Sequence, residues 1–247
     1  MPTRLRVRHL IRYRFGAPAA FSQHVLQLIP PTRANKRVIP ADVTVTPEPD
    51  DRDGFEDAFG NRVVVATPAR PHESLEILAD CLVKRTPEPD LGQAASTPCM
   101  EVAALSRAPA GLAAAPFAPA TPPPRTDDAL EARTRERLAS GRPDLAAAKE
   151  HSPRIHADFA HSPGATGPET EALEAFGLRA GVRRHSAHVM VAGLRAVGLP
   201  EADVSGWLRT LPPQGRERLM SADPSHAWVS VWDPAVGWTG LDPTDGM

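Results

Sequence analysis

The distribution of proline sets the tightest limit on what this chain can become. Nine of its 28 prolines fall between residues 86 and 126. Proline removes a backbone donor and clashes with the preceding helical turn, so no long helix or central strand runs through that stretch. The chain is thereby expected to divide into two folded parts, 1–85 and 127–247, joined by a Pro/Ala-rich connector at 86–126. The connector reads as extended and largely polyproline-like, with one short helix around Met100–Ser106. At 28 prolines in 247 residues, a coiled coil and an all-helical bundle are excluded.

Charge narrows the partners. A formal net charge of −2 gives no global electrostatic footprint for nucleic acid or an anionic membrane. Cys81 and Cys99 are the only cysteines, too few for a disulfide framework or a cysteine-rich zinc site. No run reaches the roughly 18 apolar residues of a membrane span. The opening Met1-Pro-Thr-Arg-Leu-Arg-Val-Arg8 lacks the apolar centre of a signal peptide, so a cytoplasmic location is expected. No cofactor or metal is expected, and the oligomeric state stays open.

The first part reads as strands. Arg4, Arg6 and Arg8 alternate with Leu5, Val7 and His9, and the alternation continues through Ile11 and Tyr13. A period of two puts the arginines on one face, which reads as a solvated strand face. A nucleic-acid arm is the other reading, but no aromatic stacking platform accompanies the run. Further strands are expected at Phe21–Ile29, Arg37–Thr46, Arg62–Thr67 and Glu73–Lys84, with a turn at Asp57-Ala-Phe-Gly-Asn61. Leu75, Ile77, Ala79, Cys81 and Val83 share a face, so Cys81 is a core residue. An antiparallel β-sandwich is the expectation.

After Asp127 the pattern turns helical. Helices are expected from Asp127, over Asp144–Phe159 with a kink or break at Pro153, and over Arg184–Val197, closed by Gly198-Leu-Pro200. Strands follow at Asp203–Thr210, His226–Trp232 and Trp238–Leu241, giving α+β. The chemistry concentrates here. His226 opens a strand, and Asp242 follows 16 residues later at the end of the next. That spacing suits a general base and the carboxylate that orients it. Such a pair serves a nucleophile, whose natural seat is a helix N-terminus, where the dipole and free N–H groups stabilise a thiolate.

Several motifs, in order, resemble those of the bacterial transglutaminase-like proteins. They run from the Leu5-Arg-Val-Arg-His9 strand and Asp57-Ala-Phe-Gly-Asn-Arg62 through Arg154-Ile-His-Ala-Asp-Phe-Ala160 and Ser162-Pro-Gly-Ala-Thr166. They continue through Val204-Ser-Gly-Trp-Leu-Arg-Thr210, Ala222-Asp-Pro-Ser-His-Ala-Trp228 and Gly237-Trp238 to Leu241-Asp-Pro-Thr244. The resemblance implies a β-rich N-terminal region followed by a papain-like transglutaminase core. It also implies a cysteine nucleophile within Gly-Val-Cys-Gln-Asp-Phe-Ala-His. Here that window reads Gly181-Val-Arg-Arg-His-Ser-Ala-His188, so Arg183 holds the nucleophile slot. The family's catalytic histidine falls on His226 and its aspartate on Asp242. The family continues through closing strands where this chain ends, so the core reads as truncated at its C-terminal end.

Arginine is permanently cationic and only donates, so it cannot replace a thiolate. Loss of the nucleophile in a hydrolytic triad costs about 10⁶ in rate. A cation at a helix N-terminus is also disfavoured by about 0.3–1 kcal/mol, so Arg183 is expected to pair with Asp242 or turn to solvent. Two functional readings follow. One is a non-catalytic transglutaminase-like module that binds a peptide or protein in the old cleft. The other is an active cysteine peptidase or acyltransferase using His226 and Asp242 with an unrecognised nucleophile. Ser186 lies almost a turn further along the helix than position 183, and Cys99 sits in the connector. His185 and His188, three residues apart, could share a metal, but no third ligand is apparent and structural histidines are the simpler reading.

Overall fold

The alternation that opens the sequence becomes one long strand, β1 (Thr3–Ala19). The fold comes from a computed structural model of the chain. It describes residues 2–33, 35–86, 96–112, 114–118, 128–138, 141–158, 160–161, 172–178, 180–181, 183–207, 215 and 225–245. Contacts divide the chain into two units, Met1–Asp90 and Leu91–Met247.

In the first unit β1 is followed by β2 (His24–Ile29), β3 (Lys36–Thr46), β4 (Asp51–Glu56), β5 (Arg62–Thr67) and β6 (His72–Arg85). They form two antiparallel three-stranded sheets, ordered β1-β6-β3 and β2-β5-β4. Leu75, Ile77, Ala79, Cys81 and Val83 of β6 are buried in one cluster with Val43 and Val45 of β3, Leu26 of β2 and Ala66 of β5. Both sheets therefore feed the same core, and Cys81 is part of it. The arginines of β1 are exposed, and two face acids on the neighbouring strand: Arg6 donates to Asp80 and Arg12 to Glu76, each at 2.7 Å. Such exposed pairs contribute about 0.2–1 kcal/mol each, so this row is a solvated face. Between β4 and β5, Asp57 accepts from the backbone of Phe59 and Asn61, and Gly60 takes a φ of 76° that the tight turn requires.

The second unit contains α1 (Cys99–Leu105), α2 (Asp128–Arg137), α3 (Asp144–Asp158), β7 (Ala160–His161), α4 (Ala172–Leu178), β8 (Ala180–Gly181), α5 (Arg183–Ala196), β9 (Glu201–Trp207), β10 (Ser225–Asp233) and β11 (Gly237–Leu241). Strands β9, β10 and β11 make an antiparallel sheet with β10 central, while β7 and β8 pair in parallel. Ala187, Met190, Val191 and Leu194 of α5 are buried in one cluster with Val229 and Val231 of β10.

Two expectations change. The short helix expected around Met100–Ser106 is α1, but the rest of the described proline-rich stretch is folded rather than extended: two 3-10 turns, Pro109–Gly111 and Ala115–Phe117, belong with α1 to the second unit. Cys99, Val102 and Ala114 enter its core, because three apolar side chains at these spacings bury more favourably than they solvate. Residues 87–95 and 119–127 lie outside the described residues. Helix α3 also runs through Pro153. Pro153 and Lys149, whose carbonyl loses its helical donor, are both exposed, while His151, Ser152 and Ile155 anchor the buried side.

Helix α5 ends as its sequence predicts: Gly198 has φ 83°, and the Leu199 N–H donates to the Leu194 carbonyl. A Cβ on Gly193 would stand 2.6 Å from Thr134 Oγ1, whose hydroxyl donates to Leu130 O inside α2. Gly193→Ala is expected to destabilise the second unit by about 1–3 kcal/mol, measured by urea unfolding, despite the gain in helix propensity.

Candidate active site

The β10–β11 hairpin positions the candidate pair, His226 and Asp242. Its turn is fastened by Asp233, whose Oδ1 accepts from Ala235 N–H at 2.7 Å and Val236 N–H at 2.9 Å. The register aligns Val229 with Leu241 and Trp232 with Trp238. Continued by parity, it puts His226 and Asp242 on the same face, one diagonal step apart. There His226 Nε2 meets Asp242 Oδ2 at 2.5 Å. The other carboxylate oxygen, Oδ1, accepts from the backbone of Thr244 at 2.9 Å and Asp245 at 3.2 Å. Asp242 is therefore fixed by its own turn before it meets the ring. His156 of α3 also donates through Nδ1 to the Thr244 carbonyl, tying that turn to the helix.

The chemistry follows from which nitrogen is occupied. With Asp242 accepting from Nε2–H, the second nitrogen carries the lone pair. Nδ1 is buried and has no hydrogen-bond partner among the described residues. The His226 side chain is 1% exposed and that of Asp242 11%, so the short bond lies in a setting where charge-assisted hydrogen bonds are strong. A neutral imidazole held this way can accept a proton at Nδ1 while Asp242 stabilises the resulting cation. Among the described residues Asp242 is thus bonded through both oxygens, Oδ2 to the ring and Oδ1 to two backbone donors; the expected pairing with Arg183 falls on a side chain outside the described residues.

The sequence-derived residues are only partly brought together. His226 and Asp242 form the pair expected of them. Arg183 is the first residue of α5, at the helix N-terminus where the nucleophile slot was placed, and its side chain lies outside the described residues. Ser186 and His185 are buried within the same helix, whereas His188 is partly exposed and faces Asp203 of β9 at 3.3 Å. Cys99 begins α1 in the core, and burial together with the nearby Asp144 carboxylate pushes its thiol up to about 11. A thiol so protonated is a poor nucleophile. Cys99 is therefore expected to resist iodoacetamide at pH 8 in the folded chain and to react in urea, as read by mass spectrometry.

Three features were missed in the sequence. Asp245 brings a carboxylate within 4.8 Å of His226 and Asp242 ligand atoms, a trio able to approach a metal ion. The 2.5 Å contact between His226 and Asp242 leaves no room for an ion between those two atoms, so the pair fits proton transfer better than ligation. Trp228 stacks beside His226, with ring centroids 6.4 Å apart. His156 holds the Asp242 turn. Only Trp228 had a local signal, its position two residues after the histidine on an alternating strand.

Comparison with known proteins agrees with both halves of the chain. The family model for the bacterial transglutaminase-like N-terminal region matches residues 5–84, and that for the transglutaminase-like superfamily matches residues 131–243. An uncharacterised protein of Mycobacterium tuberculosis is 33% identical over 249 aligned residues, covering 98% of this chain and 79% of that protein. The protein-glutamine gamma-glutamyltransferase of Pseudomonas aeruginosa is 38% identical over 92 residues, covering 36% of this chain and 14% of that enzyme. The crystal structure of a candidate cysteine protease from Cytophaga hutchinsonii shares the fold, with a TM-score of 0.63 at 16% identity. That match covers 99% of this chain and 79% of the Cytophaga chain. With both of its parts matched and a relative aligned along nearly all of its length, the chain belongs to the transglutaminase-like superfamily.

Proposed function

We propose that this protein is a transglutaminase-like module that no longer performs thiol acyl transfer and binds a polypeptide at the retained site. The observation that carries the reading is Arg183 at the first position of α5, where the family's nucleophile stands. Both cysteines are buried elsewhere, Cys81 in the first unit and Cys99 in the second. The intact His226–Asp242 pair supports a retained site, because a buried pair of this kind contributes little net stability of its own.

A second reading keeps the protein an enzyme, with His226 and Asp242 serving a nucleophile other than cysteine; the intact pair is what favours it. Ser186 is the hydroxyl of the helix entrance, but it lies almost a full turn beyond position 183 and is buried within the helix packing. The test is direct: incubate the full chain with a glutamine-containing peptide and a fluorescent primary amine, and follow both amine incorporation and peptide hydrolysis. No turnover that depends on His226 is expected. Turnover abolished by His226→Ala would overturn the proposal in favour of the second reading.

A further inference from the structure

The sheet of the second unit carries its reactive pair beside an aromatic ring for which two strands have been cleared. The register aligns His226 with Gly206 of β9 and Ser230 with Gly240 of β11, so His226, Trp228, Gly206 and Gly240 share a face. The Trp228 indole lies along that face over both neighbouring strands. A Cβ on Gly206 would stand 2.5 Å from its Cη2 and 2.9 Å from its Cζ3. A Cβ on Gly240 would stand 3.5 Å from both Cδ1 and Nε1. The benzene end of the ring thus takes the volume of a side chain at 206, and the pyrrole edge rests against 240. From this seat the indole lies 28° from the plane of the His226 ring.

We propose that Trp228 is the positioning residue of the His226–Asp242 pair. Seated on Gly206 and Gly240, its indole keeps water from the imidazole and holds it in the one orientation that gives Nε2–H to Asp242 and leaves Nδ1 free. A hydrogen bond between an imidazole and a carboxylate is weak where water competes and strong where water is excluded. A smaller side chain at 228 would not span both strands, and any side chain at 206 would lift the indole off the sheet. The inference rests on the geometry of the pair and not on the loss of the nucleophile, so either can fail alone.

The experiment is proton NMR of the full chain, with the Nε2–H resonance of His226 assigned by its disappearance in His226→Gln. In the native chain this proton should resonate far downfield and exchange slowly with water. Trp228→Ala and Gly206→Ala should each accelerate its exchange about tenfold or more, with Trp228→Phe intermediate because a phenyl ring covers less. Thermal midpoints and circular dichroism verify that each variant is folded, and Trp228→Phe serves if the alanine variants are not. Unchanged exchange in folded Trp228→Ala or Gly206→Ala, or a native resonance that exchanges rapidly, overturns the proposal. In an Arg183→Cys chain made active, Trp228→Phe should lower kcat and leave KM unchanged. A raised KM with kcat intact would make Trp228 a ligand contact and likewise overturn it.

Discussion

Replacing Arg183 by cysteine is expected to raise amine incorporation into a glutamine peptide by about 10²–10⁴-fold over the native protein. The substitution returns a thiol to the first residue of α5, where unpaired backbone N–H groups and the helix dipole favour the thiolate. His226 already holds a buried Nδ1 with no hydrogen-bond partner among the described residues, and a carboxylate behind it. The sulfur would attack the glutamine carbonyl, forming the C–S bond. The tetrahedral intermediate would then break its C–N bond, with His226 giving the departing nitrogen the proton taken from the thiol, so that ammonia leaves. The amine would next attack the thioester, forming the new amide and regenerating the thiol. The gain stays below a full triad's roughly 10⁶ because Arg184, His185 and Ser186 also depart from the family's motif. Arg183→Ala should remain silent, which separates restoration of a thiol from removal of a cation. His226→Ala in the cysteine variant should abolish the new activity.

The second large effect concerns pH. Asp144, at the start of α3, is wholly buried; its Oδ1 accepts from Ser96 Oγ at 2.9 Å and from Leu145 N–H at 2.6 Å. Its Oδ2 has no donor among the described residues, and the Asp233 carboxylate, which itself accepts from Thr97 N–H at 2.6 Å, lies near enough to act on it. Two acceptors face each other, a contact that is favourable only when one carries a proton. Burial, reinforced by Asp233 against the opposing Ser96 hydrogen bond, pushes the Asp144 carboxyl up to about 7. The folded protein therefore keeps a proton that the unfolded chain sheds near pH 4. This contribution to stability is full below pH 4 and is lost as pH rises through about 7. Glu201, buried and paired with Arg195, acts in the same direction, with its carboxyl also near 7 because of burial. His151 opposes them: burial and neighbouring arginines lower it to about 4, so its contribution fades as pH falls from 6.5.

Asp144→Asn isolates the first group. Asparagine keeps the acceptor for Ser96 and offers Asp233 a donor that does not titrate. The variant should match the native chain at pH 4–5 and exceed it by about 2 kcal/mol at pH 8, read from urea midpoints at the two pH values. An identical pH profile for the two proteins would refute the shared-proton contact.

What the sequence revealed, and what it hid, follows from how each signal arises. Strand β6 was legible because one face is buried, so Leu75, Ile77, Ala79, Cys81 and Val83 alternate strictly. Helix α5 was legible from its apolar spacing and its glycine stop. The His226–Asp242 pair was legible because a hairpin register converts a separation along the chain into a fixed diagonal across two strands. Strand β4 was hidden because all six of its residues are exposed, leaving no periodicity to read. The folding of the proline-rich stretch was hidden because its burial rests on three isolated apolar residues. The pairing of Asp144 with Asp233 was invisible for a different reason: their elements come together only in the finished fold. Trp228 could be seen, but its role needs the glycines of two other strands.

Strand β4 has a consequence for how this protein behaves in company. It is the outermost strand of its sheet, so the row of backbone amides and carbonyls on its free side is an invitation to any extended chain that drifts past. Asp51, Asp53 and Glu56 stand along that border with a single arginine among them. Two such borders meeting would bring like charges together at strand spacing, where repulsion opposes the gain from new ladder bonds. The strand with no apolar pattern is thus a guard against fibre growth.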